Sequence, residues 1–234
     1  MSPEDKEIEQ QAITYAKKNK TKLARQLTDK TIYAKERDPV SVFMCGSPGA
    51  GKTESSKIFL KEIGSDNVIR LDPDDLRCKF PGYNGANSYL FQRAISVIIE
   101  RALDYAFQGK QSFLLDGTLS KLDIAKKNIQ RCLDRKRNVL ILFVYQSPAM
   151  AWEFVQAREK EEGRRILPET FIEQFLGAQE VVRELKRQFG SQIQVDLLVK
   201  NNRGHTRFYH DNVTDVESLI TEKFTRIELE QLIK

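Results

Sequence analysis

Cysteine is scarce in this sequence, and long apolar runs are missing. The three cysteines in 234 residues are odd in number and scattered, which fits neither a disulfide framework nor a zinc site. No stretch approaches the roughly 18 to 20 consecutive apolar residues that a membrane span needs. Residues 1–6 also lack the apolar core of a signal peptide. These absences predict a cytoplasmic protein with reduced thiols and no membrane partner.

Charge of one sign is also not concentrated anywhere. The net charge is +5, and the lysines and arginines are spread along helix-like segments among acidic residues. This pattern is typical of solvated helix faces and does not favour a nucleic-acid partner. Repeats, low-complexity segments and flexible linkers are absent as well, so the length predicts one domain over residues 1–234.

Apolar strand-like runs alternate with helix-like segments along the chain. The runs show little polar alternation, which is typical of parallel strands covered on both faces. They are Val40–Cys45, Val68–Leu71, Ser112–Leu115, Val139–Val144 and Ile193–Val199. The pattern predicts an α/β fold, a doubly wound and mostly parallel sheet of about five strands with helices on both faces. Residues 207–209 suggest a short added strand.

Three helical segments frame this predicted sheet. Apolar residues at steps of three and four predict an N-terminal helix over residues 3–34. A helical pattern around 148–189, broken near Gly163, predicts a helical lid. The sequence Thr214-Asp215-Val216-Glu217 has the form of a capping box and predicts the start of the last helix.

One glycine-rich motif carries the chemistry of phosphate binding. The segment Gly46-Ser47-Pro48-Gly49-Ala50-Gly51-Lys52-Thr53 has the P-loop pattern and lies between a strand-like run and a helix-like one that starts at Glu54. Its glycines let backbone N–H groups converge on a phosphate chain, and the helix adds its positive end. Lys52 would reach the β- and γ-phosphates, and the Thr53 hydroxyl would hold Mg²⁺. Residues 46–54 therefore predict ATP and Mg²⁺ as cofactors.

Acidic residues follow the second and third predicted strands, at the edge where ligands bind in doubly wound folds. Asp74 would lie in a first helical turn and could accept the proton of an attacking hydroxyl. Arg77, one turn later, would orient Asp74 or hold a substrate phosphate. Asp72 is either a helix cap or a metal partner alongside Thr53. The sequence leaves open whether Asp72 or Asp116 lies nearer the metal.

Arginines flank the predicted break in the lid. Kinases need cations over the γ-phosphate as negative charge spreads across its oxygens. Arg158, Arg164 and Arg165 are the candidates for this catalytic role. Tyr83 follows the Asp74 region and would line a pocket for the acceptor.

The order of these motifs resembles the zeta toxin family, whose members resemble kinases of UDP-N-acetylglucosamine. The segment 71–77, followed by Pro81-Gly82-Tyr83, is similar to the family's acid pair and its downstream Pro-x-Tyr. The segment 114–119 is similar to an apolar strand followed by Glu-Gly-Thr, although Asp116 replaces the glutamate and Ser120 stands where an arginine can occur. Asn202-Arg203-Gly204 is similar to a late Asn-Arg-x-Gly segment.

The resemblance assigns roles to several of these residues. It implies that Asp74 is the catalytic base, that Asp116 and Thr118 contact a sugar nucleotide, and that Arg158 begins the lid. The second lid arginine is Arg164 or Arg165, because the loop between the lid arginines is shorter here. The resemblance also implies a UDP-sugar substrate, toxicity and an antitoxin partner. Another acceptor (a nucleoside, a dinucleotide or an antibiotic) and a nucleotide-binding switch without an acceptor are the alternatives.

Overall fold

A six-stranded sheet lies at the centre of the protein, which a computed structural model describes over residues 1–64, 66–201, 205–216, 218–220 and 222–233, Arg207 by its backbone alone. The strands are β1 (Val40–Cys45), β2 (Ile69–Leu71), β3 (Phe113–Leu115), β4 (Asn138–Tyr145), β5 (Gln194–Lys200) and β6 (Thr206–His210). Their order in the sheet is β2-β3-β1-β4-β5-β6. The first five are parallel, and β6 pairs antiparallel with β5. The sixth strand is the short added strand suggested at residues 207–209.

Helices follow the parallel strands in alternation. They are α1 (Pro3–Leu27), α2 (Lys52–Glu62), α3 (Pro73–Arg77), α4 (Gln92–Gly109), α5 (Leu122–Leu133), α6 (Pro148–Glu162), α7 (Pro168–Phe189) and α8 (Arg226–Leu232). This arrangement confirms the predicted doubly wound α/β fold. Among the described residues, none of these helices combines the length and the apolar character that crossing a membrane requires.

The central strand β1 shows why the sheet is covered on both faces. Val42 and Met44 point to one face, where they pack in a small core that includes Phe59 of α2. Phe43 and Cys45 point to the other face and join the larger core. Because both sets of side chains are buried, the strand has no polar alternation.

Two predicted helix boundaries are wrong. The first helix ends at Leu27 and not at residue 34. Thr28 leaves the helical conformation with φ −117° and ψ 32°, its hydroxyl donates to the carbonyl oxygen of Ala24 at 2.9 Å, and Asp29 then accepts the N–H of Thr31. The last helix does not begin at Thr214. It begins at Arg226, after the described part of the intervening segment has passed through turns and bends.

The start of the last helix has the chemistry that the sequence prediction looked for, at a later position. The hydroxyl of Thr225 accepts the N–H of Glu228, and the Glu228 carboxylate accepts the N–H of Thr225 at 2.7 Å. Both are the hydrogen bonds of a capping box. The motif at 214–217 includes residue 217, which lies outside the described residues.

Candidate active site

The P-loop connects β1 to α2 and is shaped by close packing around two of its glycines. Gly46 has φ +140° and Gly49 has φ +74°, both in the region that favours glycine. A Cβ atom on Gly46 would overlap the carbonyl oxygen of Val144 in β4, and one on Gly49 would overlap that of Ala151 in α6. The loop therefore needs glycine at both positions for conformation and for space.

Lys52 lies folded into this loop. Its Nζ donates a hydrogen bond of 2.6 Å to the carbonyl oxygen of Ser47. Burial lowers the pKa of Lys52 to about 8, and the charge of Asp116 is the strongest of the influences that oppose this shift. The ammonium group is thus held at the N-terminus of α2, where a phosphate chain would bind the N–H groups of the loop.

A second lysine beside the P-loop escaped the sequence analysis. Lys200, the last residue of β5, is buried, and its Nζ lies 3.3 Å from the hydroxyl of Thr206. The ammonium lies 3.9 Å and the Glu54 carboxylate 3.2 Å from where a Cβ of Gly51 would stand. Burial lowers the pKa of Lys200, and Glu54 partly offsets this. The signal in the sequence was a charged residue ending an apolar strand at the ligand-binding edge.

Asp74 lies in the first turn of α3 between two arginines. Its Oδ1 accepts a hydrogen bond from Arg77, and its Oδ2 accepts one from Arg164 in the turn between α6 and α7. Burial alone would raise the pKa of Asp74, but Arg164 and Arg77, with smaller contributions from Arg158 and Lys52, bring the pKa below its usual value. Asp74 is therefore ionised at neutral pH and can accept a proton.

Two adjacent arginines lie in the turn between α6 and α7 (residues 163–167, here called the lid turn), and their environments differ. The Arg164 side chain is 17% exposed and reaches Asp74, whereas that of Arg165 is 59% exposed and lies 3.8 Å from Glu159. The structure thus brings Arg164 to Asp74 and leaves Arg165 exposed, and the predicted catalytic role of Arg165 stays a prediction. Arg158 lies on α6 and donates to Glu162 at 3.2 Å.

The lid turn rests on a segment that the sequence analysis passed over. Gly85 has φ +82°, and a Cβ there would lie 3.1 Å from the carbonyl oxygen of Glu162 and 3.2 Å from that of Gly163. Three residues later, the Ser88 hydroxyl donates to the carbonyl oxygen of Arg165 at 3.1 Å. Close backbone packing at Gly85 and this hydrogen bond hold the lid turn where Arg164 meets Asp74.

The carboxylates at the ends of β2 and β3 are engaged in different ways. Asp72 caps α3, since its Oδ1 accepts the N–H of Asp74 at 2.8 Å and its Oδ2 accepts a hydrogen bond from Arg70. Asp116 accepts from Ser56 at 2.8 Å and from Arg70 at 2.6 Å, both at Oδ2. Asp72 is therefore the cap of α3, and each of its oxygens keeps a lone pair, so its predicted contact with the metal stays a prediction.

Two further oxygen donors, from α2 and from the end of β3, suit Mg²⁺. No group of three histidine, cysteine, aspartate or glutamate side chains in the described ranges could hold a metal by itself. Mg²⁺ in kinases takes only one or two protein oxygens and completes its shell with phosphate and water. The Thr53 hydroxyl, at the start of α2, and the Asp116 carboxylate, at the end of β3, fit that donor set.

The predicted acceptor side lies next to the P-loop. The N–H of Gly46 donates to the carbonyl oxygen of Thr118 at 3.3 Å, and the Thr118 hydroxyl lies 3.1 Å from that of Ser120. The Tyr83 ring packs edge-on against Phe91, with centroids 5.5 Å apart. Asn202-Arg203-Gly204 lie outside the described residues.

The sheet order, the P-loop and the strand-end acids together define a P-loop kinase fold. The model of the zeta toxin family matches residues 23–214, which is more than half of the chain. The protein therefore belongs to the zeta toxin family.

Individual relatives agree with this assignment. Toxin PezT from Streptococcus pneumoniae serotype 4 (strain ATCC BAA-334 / TIGR4) is 25% identical over 147 residues, which are 59% of this chain. The matched region spans 58% of that relative's own length.

Two solved structures share the fold. A structure from a study of the PezAT chromosomal toxin–antitoxin system of Streptococcus pneumoniae is 16% identical with a TM-score of 0.67, over 94% of this chain and 92% of its own. The AvrRxo1-ORF1:-ORF2 structure with ATP is 15% identical with a TM-score of 0.57, over 90% of this chain and 67% of its own.

Proposed function

We propose that the protein is an ATP- and Mg²⁺-dependent kinase that phosphorylates a hydroxyl group of UDP-N-acetylglucosamine or a related UDP-sugar. The observation that carries this proposal is the position of Asp74, held between Arg77 and Arg164 and close enough to Lys52 for their charges to interact. A nucleotide-binding switch would need the P-loop and an acid for Mg²⁺, but it would not need an ionised carboxylate clamped by two arginines beside the phosphate site.

In the proposed reaction, the acceptor hydroxyl oxygen attacks the γ-phosphorus of ATP. A bond from that oxygen to phosphorus forms, the bond from phosphorus to the β,γ-bridging oxygen breaks, and ADP leaves with the electron pair. The hydroxyl proton passes to Asp74, whose carboxylate oxygens each keep a lone pair beyond the one that its arginine contacts. Arg164, together with Arg158, neutralises the charge that develops on the γ-phosphoryl oxygens.

The cofactors bind at the loop and at the neighbouring strand end. Residues 46–54 would hold the phosphates, with Lys52 as the mobile cation and Lys200 as a further cation beside Gly51. Thr53 and Asp116 would hold Mg²⁺, which when bound neutralises the charge of the β- and γ-phosphates.

The acceptor assignment rests on family membership and on the residues near Thr118. Tyr83, Asp116 and Thr118 form the proposed acceptor side. Arg77 was predicted either to bind a substrate phosphate or to orient Asp74, and its buried guanidinium beside Asp74 favours the orienting role. Because a relative is named as a toxin and a study of a similar structure describes a toxin–antitoxin system, we also propose an antitoxin protein as partner.

The test is ADP release from ATP and Mg²⁺ with and without UDP-N-acetylglucosamine, followed by mass analysis of the sugar nucleotide. We expect stimulation by the sugar nucleotide and a mass increase of one phosphoryl group. Asp74→Asn removes the negative charge that accepts the proton. We therefore expect kcat to fall by about 10²- to 10⁴-fold, while the Kd for ATP changes little. Asp75→Asn, the same change at the exposed neighbour, is the matched control.

Each alternative gives a different result. ADP release that ignores UDP-N-acetylglucosamine but rises with a nucleoside, a dinucleotide or an antibiotic would leave the kinase chemistry intact and change the acceptor. Slow hydrolysis that no acceptor stimulates would favour the switch. Equal loss of ATP binding and turnover in Asp74→Asn would contradict the role of Asp74 as base.

A further inference from the structure

Arg70, the middle residue of β2, lies outside every motif of the phosphate site. Its guanidinium nevertheless contacts four residues, which lie on α2, at the cap and in the body of α3, and directly after β3. The groups that accept its hydrogen bonds are the Ser56 hydroxyl, the Asp72 carboxylate, the Asp75 carboxylate and the Asp116 carboxylate. The proposed reaction has not yet given Arg70 a role.

The geometry separates two buried ion pairs of Arg70 from one exposed ion pair. Nη2 of Arg70 bridges Oδ2 of Asp72 and Oδ2 of Asp116, the latter at 2.6 Å, and these two carboxylates are only 5% and 2% exposed. Nη1 lies 3.1 Å from Asp75, whose side chain is 73% exposed. Exposed ion pairs contribute little to the free energy of folding. Removing one partner of a buried pair, by contrast, leaves an uncompensated buried charge and is strongly destabilising.

The bridge links both strand ends to groups that the reaction uses. Arg70 fixes one oxygen of Asp72, and the other oxygen of Asp72 caps α3 by accepting the N–H of Asp74 at 2.8 Å. Arg70 and Ser56 together fix Oδ2 of Asp116. The orientation of the Asp74 backbone and that of the Asp116 carboxylate therefore depend on one guanidinium.

We infer that Arg70 is a positioning residue for phosphoryl transfer, acting through Asp72 on Asp74 and directly on Asp116. This inference rests on the proposed function. The role requires arginine, because a planar fork of donors can span two carboxylates and a hydroxyl at once, whereas a lysine offers a single nitrogen.

The first test compares the kinetics of Arg70→Met, Arg70→Lys and Asp75→Asn. Mutation of a residue that hydrogen-bonds to a metal-binding side chain typically lowers activity by about 10- to 100-fold. We therefore expect Arg70→Met to lower kcat by about that factor, with little change in KM for ATP. Arg70→Lys should recover only part of the loss. Asp75→Asn removes the exposed contact alone and should stay within about twofold of the unchanged protein.

The second test does not depend on catalysis. Hydrogen exchange of the Asp74 amide reports directly on the cap of α3, and we expect it to be at least about tenfold faster in Arg70→Lys and Arg70→Met. The amides of the central strand β1 should keep their protection, which shows that the fold persists. The lysine variant keeps the charge and serves where the methionine variant does not fold.

The outcomes are distinct. A kcat of Arg70→Lys and Arg70→Met within about threefold of the unchanged protein would overturn the inference. So would a loss of kcat with unchanged exchange at Asp74, because the proposed route through the cap would then be absent. If the unchanged protein transfers no phosphoryl group, the proposed function fails by itself. Hydrogen exchange of the Asp74 amide then still tests the role of Arg70. Unaltered exchange in both variants would overturn the positioning role, and faster exchange would support it.

Discussion

The P-loop and the lid turn hold the two halves of the candidate site, and they are built in different ways. The P-loop is made by consecutive residues whose glycines adopt left-handed conformations beneath β4 and α6. The lid turn is fixed by residues distant in sequence, since Arg164 meets Asp74 across 90 positions and Ser88 meets Arg165 across 77. The first is a local backbone structure, and the second is a tertiary contact of side chains.

This difference explains why a sequence motif identifies the P-loop completely but leaves two candidates, Arg164 and Arg165, in the lid turn. Backbone N–H groups that bind phosphate are placed by the local chain, so a pattern of eight residues is sufficient. Two adjacent arginines in a turn look equivalent in the sequence. The turn packs on Gly85 and Ser88, and in that position Arg164 pairs with Asp74 while Arg165 stays exposed beside Glu159.

The largest expected effect separates these two arginines. Arg164→Ala removes a cation from the γ-phosphate side and should lower kcat by about 10³-fold, the lower end of the range for arginine fingers. Arg165→Ala removes an exposed side chain and should change kcat by less than about threefold. Steady-state kinetics with saturating ATP measure both. Similar losses in the two variants would show that the lid turn rearranges during the reaction.

A smaller effect is expected where the lid turn rests on its support. Gly85→Ala places a Cβ 3.1 Å from the carbonyl oxygen of Glu162, so the lid turn must shift by a few tenths of an ångström. A misplacement on the order of 1 Å can cost about 10²-fold, so we expect this smaller shift to lower kcat by about 10- to 30-fold with ATP affinity retained.

The matched control for Gly85 is three residues away. Gly82 has a similar φ of +78°, but a Cβ there would meet nothing within 4 Å. Gly82→Ala therefore imposes the same backbone strain without touching the lid. Kinetic losses of equal size in Gly82→Ala and Gly85→Ala would attribute the effect to strain and remove the lid contact from the account.

The smallest effect concerns the P-loop alone. With a pKa of about 8 in the free protein, Lys52 is charged below that pH and becomes neutral above it. Phosphate binding favours the charged form, so ATP binding should take up protons near pH 8. Its affinity should fall by up to about tenfold between pH 7 and pH 9.

Calorimetry in buffers of different ionisation enthalpy measures this proton uptake directly. In Lys52→Arg the cation stays charged throughout that range, so the affinity should be lower but flat with pH. An unchanged pH dependence in this variant would assign the titration to a different group, with Lys200 as the next candidate.

Much of the fold could be predicted because most residues of the parallel strands are apolar and buried. The limits of β1 and the end of α7 at Phe189 agree with the sequence prediction, since a buried parallel strand and a long helix with one buried face give clear signals. Boundaries decided by a side-chain turn, such as the end of α1 at Thr28, gave no periodic signal. The capping-box pattern is short and can recur by chance, so the pattern at 214–217 was mistaken for the one that begins at Thr225.

The sequence by itself determined the α/β class, the P-loop and the nomination of Asp74. These depend on the period of apolar residues and on a backbone motif, both of which are local. Only the tertiary structure decided that Arg164 faces Asp74, that Asp72 caps α3, and that Arg70 and Lys200 join the site. The reason is that a parallel sheet brings together strand ends far apart in the chain, and the charges that meet there are paired by geometry and not by spacing.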